Sequence, residues 1–120
     1  MDQSTEFKLI MTVVSRGYGK KVLDAAKQAG AEGGTVLGGR GTGINEPIEL
    51  FGTMIEPEKE IIMTLVPIEL CQTIHEKIIV AADLNTPGRG VSFTLDVDRI
   101  AGVTYLMDEN MRKKLDYLDD

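Results

Sequence analysis

Hydrophobic residues recur at every second position from Phe7 to Val14. Phe7, Leu9, Met11 and Val13 form one wholly apolar face. Lys8, Ile10, Thr12 and Val14 form a mixed second face, so the segment predicts a strand. Ser15-Arg16-Gly17-Tyr18-Gly19 breaks that pattern. From about Lys20 to Ala29 the spacing becomes helical, with Val22, Leu23, Ala26 and Ala29 on one stripe and Gly30 as a stop signal. A second strand covers about Thr35 to Gly39. Gly41 to Pro57 reads as a long loop, with an extended piece around Ile48 to Phe51. Glu60 to Val66 is a third strand. Pro67 suits the first turn of a helix, where its missing N–H costs nothing. That helix runs to about Ala82 and should bury Leu70, Cys71, Ile74, Ile78 and Ala81. Asn85-Thr86-Pro87-Gly88 is a turn. Val91 to Asp96 alternates cleanly, with Val91, Phe93 and Leu95 on one side. The tail from Asp108 to Tyr117 has the composition of a short charged helix.

The order is β-α-β, long loop, β-α-β. Residues 7–40 and 60–96 share one plan, which is the ferredoxin-like split arrangement. The expected fold is α+β: βαββαβ, a four-stranded antiparallel sheet with two helices on one face. The organisation that follows is an N-terminal extension (1–6), a single domain (7–107) whose long loop spans about 42–55, and a charged tail (108–120). The open sheet face is expected to carry Ile10, Val14, Ile62 and Val66. An apolar open face calls for another surface to cover it, which points to oligomerisation through the sheet.

Composition narrows the function. The chain has 120 residues, enough for one domain with its own core. Its net charge is −6, and its basic residues are scattered. That excludes a nucleic-acid partner, because phosphate neutralisation needs concentrated Lys and Arg. One cysteine, Cys71, permits no internal disulfide, and a reducing, cytoplasmic setting is the simplest expectation. No apolar stretch approaches the roughly 20 residues that span a bilayer.

Two glycine-rich turns carry the candidate chemistry: Gly38-Gly39-Arg40-Gly41-Thr42-Gly43 and Pro87-Gly88-Arg89-Gly90. Glycines let backbone N–H groups approach an anion closely, and successive N–H groups form an anion-binding nest. Arg40 and Arg89 add planar bidentate donors. In the expected topology both turns lie at the same end of the sheet but on opposite edges, roughly 14 Å apart at the usual strand spacing. A small ligand touching both would therefore sit between subunits. Arg16, Tyr18, Lys20 and Lys21 fall at the same end, as further cations or as plain helix-start surface. The long loop mixes Glu46 and Glu49 with Ile44, Ile48, Leu50 and Phe51, a composition suited to docking on a partner. His75 and Cys71 are spaced as a Cys-x3-His pair on the second helix, but no further metal ligands cluster nearby. No nucleophile–base pairing is visible, so a catalytic role is not expected.

The chain resembles the PII nitrogen-regulatory superfamily as a divergent member. The resemblance rests on an ordered set of pieces: Gly34-Thr35-Val36, Gly41-Thr42-Gly43, Ile55-Glu56-Pro57-Glu58-Lys59-Glu60, the strand Ile61 to Val66 with Pro67, and Pro87-Gly88-Arg89-Gly90 followed by Phe93. It implies a non-enzymatic, cytoplasmic signalling homotrimer with ligands in the clefts between subunits. Segment 42–55 would be the partner-binding T-loop, and the 87–90 turn would hold phosphate. The implied ligand-binding residues are Thr35, Arg40, Gly41, Thr42, Gly43, Gly88, Arg89 and Gly90. An adenine nucleotide (AMP, ADP or ATP) is the implied effector, and a membrane transporter or another regulated protein the implied partner.

Departures from the family pattern bear on the ligand. Ile44-Asn45 stand where most members carry Arg-Gln. Val91 replaces a lysine, Gly102 and Thr104 replace two arginines, and no tyrosine occurs between Ile44 and Thr53. The resemblance with these departures implies a ligand less charged than a triphosphate. The alternative reading is a CutA-like metal-binding protein, or a small enzyme, on the same fold.

Overall fold

The computed structural model describes residues 6–42, 49–50, 53–54 and 57–102. The elements are β1 (Phe7–Ser15), α1 (Gly19–Gln28), β2 (Thr35–Arg40), β3 (Glu49–Leu50), β4 (Thr53–Met54), β5 (Glu58–Pro67), α2 (Ile68–Ala81) and β6 (Gly90–Asp96). The four long strands form one antiparallel sheet in the order β2-β5-β1-β6, and α1 and α2 cover one of its faces. This is the ferredoxin-like α+β arrangement expected from the pattern. Within the long loop β3 and β4 pair antiparallel as a separate two-stranded piece, which places a short ladder where the sequence shows a single extended segment. The expected tail helix and the segment 1–5 lie outside the described residues.

Sheet register decides which residues share a face. β1 pairs with β5 so that Ile10 faces Thr64, Thr12 faces Ile62 and Val14 faces Glu60. Ile10, Thr12, Val14, Ile62, Thr64 and Val66 are all essentially fully buried, and they pack against Val22, Ala26, Cys71, Ile74 and Ile78 of the helices. The mixed face of β1, with its threonine, is therefore the helix face. This reverses the expectation that Ile10, Val14, Ile62 and Val66 lie on the open side. Strand alternation fixes only that two faces exist, and a shift of one residue exchanges them.

The open face is the wholly apolar one. Three cross-strand rows run over it: Leu95-Leu9-Leu65, Phe93-Met11-Met63 and Val91-Val13-Ile61. β2 extends the last row with Leu37 and the middle row with Thr35. Val91, Phe93, Leu95 and Leu37 are 52%, 41%, 39% and 44% exposed. So the requirement for a covering surface stands, but on the other set of residues.

A second correction concerns α2. Cys71, Ile74 and Ile78 are buried as expected, whereas Leu70 is 36% exposed at the helix start. A helical stripe places Leu70 one step round from Cys71, at the rim of the packed surface rather than under it.

Candidate functional site

The ends of β1 and β2 and the starts of β5 and β6 gather at one end of the sheet. Val14 is opposite both Glu60 and Gly90, and Arg40 is opposite Glu58. At this end a cleft of about 490 Å³ opens, lined by Arg16, Gly38, Gly39, Arg40, Glu58, Lys59 and Glu60. Missing side chains help form it: nothing lies within 4 Å of where a Cβ on Gly38 would sit.

The cleft wall is built by long-range pairing. The Gly41 N–H donates to Pro57 O at 3.1 Å and the Arg16 N–H to Glu58 O at 3.2 Å. These bonds close the base of the long loop onto the end of β1. The Arg16 guanidinium also donates from Nη1 to Glu58 Oε2. That hydrogen bond, with the carboxylate's charge behind it, moves Arg16 above its ordinary range. Both groups are well exposed, so the pair contributes little net stability.

Glu60 has a different task. Its Oε1 accepts from the Gly17 N–H and the Gly19 N–H, each at 2.8 Å. Helix α1 has Tyr18 at its N-cap with no side-chain cap bond, leaving its first N–H groups without an intrahelical acceptor. Glu60 supplies that acceptor from β5, and a cap of this kind is worth about 1 kcal/mol. The approach is close: a Cβ on Gly19 would stand 2.9 Å from Glu60 Oε1. The natural anion site at the start of α1 is thus filled by the protein's own carboxylate.

The second glycine turn follows α2. Asp83 ends that helix region with φ 54°, and its Oδ1 accepts from the Thr86 hydroxyl at 2.9 Å. Arg89 Nε lies 3.6 Å from Asp83 Oδ2. Gly90 has φ 140°, and a Cβ there would collide with the carbonyl oxygen of Val13. Only glycine fits, because the first residue of β6 presses directly on the β1 backbone. Ser92, two residues on, shares hydrogen bonds with Thr12 Oγ1 at 2.8 Å and His75 Nε2 at 3.1 Å, tying β6 to β1 and α2.

Of the residues singled out from sequence, Arg40 lines the cleft and Gly41 and Thr42 lead out of it. Thr35 sits at the start of β2 opposite Met63, on the open face, whereas Arg40 alternates to the helix side. Gly88, Arg89 and Gly90 lie at the same end but beyond β1, at the opposite edge. One chain does not bring the two turns together. Gly43, Ile44, Glu46, Ile48 and Phe51 lie outside the described residues; Glu49 and Leu50 are described as the strand β3. Lys20 is paired with Asp24 on α1 at 2.9 Å. Burial pushes the Cys71 thiol up, with Lys8 opposing. No group of three or more His, Cys, Asp or Glu side chains is placed to hold a metal among the described residues. None of the described helices is long and apolar enough to cross a membrane.

In the sequence Glu58 and Glu60 stand only as part of the segment leading out of the long loop, and their pairing is not visible there. Their partners are about forty residues away in the chain. The one available signal was a charged residue, Glu60, on the same side of the strand as Ile62 and Val66.

The family model for nitrogen regulatory protein P-II matches residues 7–104. The chain belongs to the P-II family. Among solved structures it is similar to Arabidopsis thaliana PII bound to citrate, with a TM-score of 0.64 and 22% identity, covering 88% of this chain and 91% of that one. At that identity the likeness concerns the P-II fold. Comparison with curated protein sequences gives no match.

Proposed function

We propose that this P-II protein is a non-enzymatic regulator that works as a homotrimer. It binds a small anionic ligand, an adenine nucleotide (AMP, ADP or ATP), in clefts between subunits. Binding changes the loop 42–55 and with it the affinity for a partner, a membrane transporter or another regulated protein in the cytoplasm. Thr35, Arg40, Gly41, Thr42 and Gly43 of one subunit would meet Gly88, Arg89 and Gly90 of the next. Ile44, Glu46, Ile48, Glu49, Leu50 and Phe51 would form the docking loop.

One observation carries this reading. Two glycine-bearing turns stand at the same end of the sheet on opposite edges, and the face between them is apolar and uncovered. Covering that face with further copies of the chain removes the apolar rows from water at roughly 25 cal/mol per Å². It also brings the β2 edge of one copy toward the β6 edge of another. A segment that orders on ligand binding is a recognised form of switch. The metal-binding alternative gains no support, since the His75 ring is engaged with Ser92.

Size-exclusion chromatography with light scattering, followed by calorimetry against AMP, ADP and ATP, tests the proposal. A trimer that binds at least one of these nucleotides is expected. A monomer that binds none overturns it.

A further inference from the structure

The cleft beside β2 carries its own counter-charge. Its lining holds three cations, Arg16, Arg40 and Lys59, and two carboxylates, Glu58 and Glu60. The two carboxylates are not equivalent. Glu60 is committed to the Gly17 and Gly19 amides, and removing it would uncap α1. Glu58 caps nothing. Among the described residues its side chain bonds to the Arg16 guanidinium, while its main-chain carbonyl separately holds the Arg16 N–H. The side chain can therefore change partner without opening the loop base.

We propose that Glu58 is the specificity-determining residue that sets how much negative charge a ligand of this cleft may carry. It does so in two ways: it occupies a donor edge of Arg16, and it leaves a carboxylate beside the place where a phosphate would sit. Each added ligand charge then meets one more unit of repulsion. A ligand with a single phosphate can be held by Arg40 and the backbone of the Gly38-Gly39 strand edge without contesting Arg16. A polyphosphate must displace Glu58 from Arg16 or lie against it. This deepens the proposed function and rests on reading the cleft as an anion site.

The test uses the full chain and three inorganic probes: orthophosphate, pyrophosphate and tripolyphosphate. Calorimetry at low ionic strength compares the wild type with Glu58→Gln and with Asp24→Asn. Asp24→Asn removes the same formal charge from α1, outside the cleft. Glu58→Gln keeps the main-chain bonds and is expected to fold, as circular dichroism will show. It should raise the affinity ratio of tripolyphosphate over orthophosphate by about tenfold, from Coulomb repulsion at contact distance in a solvent-exposed site. The gain should shrink as salt is added. Asp24→Asn should leave the ratio within about twofold, as screening at an exposed site requires. An unchanged ratio in Glu58→Gln, an equal change in Asp24→Asn, or a uniform loss of affinity for all three probes overturns the proposal. So does failure of every protein to bind any probe.

The same titrations with AMP, ADP and ATP separate the two readings. If the probes respond to Glu58→Gln but the nucleotides bind no better than the matching phosphates, the adenine reading fails and the role of Glu58 stands. If nucleotides bind the wild type and their ranking does not move, Glu58 is eliminated and the nucleotide reading stands.

Discussion

The two faces of the sheet differ in a way that inverts the usual hydrophobic logic. The face under the helices includes Thr12 and Thr64, while the face that the described helices leave open carries leucine, methionine, valine, isoleucine and phenylalanine in three rows across β6, β1 and β5. The covered face sets Ile10, Thr12, Val14, Ile62, Thr64 and Val66 out of water beneath α1 and α2. The open face leaves Leu37, Val91, Phe93 and Leu95 partly in water. Apolar content alone therefore does not tell which face the chain's own helices cover.

Three substitutions probe this contrast. The largest effect belongs to the helix face. Ile62→Ala removes a fully buried side chain, and should lower unfolding free energy by about 2–5 kcal/mol whatever the protein concentration. Urea titrations at two concentrations check both parts. Next is the open face. Phe93→Asp places a charge in the middle of the apolar rows, and should weaken assembly by about 2–4 kcal/mol, in the range of an interface hot spot. Light scattering would show smaller particles, with far-UV circular dichroism unchanged. If assembly survives, the open face is not where copies meet. The smallest effect sharpens the helix face again. Thr64 Oγ1 is buried with no hydrogen-bond partner among the described residues. Thr64→Val keeps its shape and removes the unsatisfied hydroxyl, so thermal unfolding should show a gain of about 1 kcal/mol.

How much of this was legible beforehand follows from the range of each signal. The strands and helices came from local periodicity, and β1, α1, β5, α2 and β6 lie where the alternation and the helical spacing placed them. The order of the strands followed from the βαββαβ plan. The choice of face did not, because alternation has no sign, and the more apolar set was not the one the helices took. Leu70 marks the same weakness on a smaller scale: its type fits a core, but its angle on α2 does not. At the site, the glycine turns were legible because glycine and proline announce turns in a few residues. The carboxylates that define the cleft were not, since Glu58 meets Arg16 and Glu60 meets Gly19 only after the sheet has formed. The thirteenth carbonyl gave no hint that Gly90 would be pressed against it; only the assembled β1–β6 ladder shows why that position admits no side chain.

The bond from Glu60 to the start of α1 also makes two backbone protons into reporters. The amides of Gly17 and Gly19 point at a carboxylate that belongs to the strand leading out of the long loop. The hydrogen bonds to Glu60 should slow their exchange with solvent while that strand holds its place. Any event that pulls on the loop far enough to draw Glu60 away will therefore be visible as faster exchange at two glycines well outside the loop itself. Loosening at the base of the loop would be read there without labelling the loop.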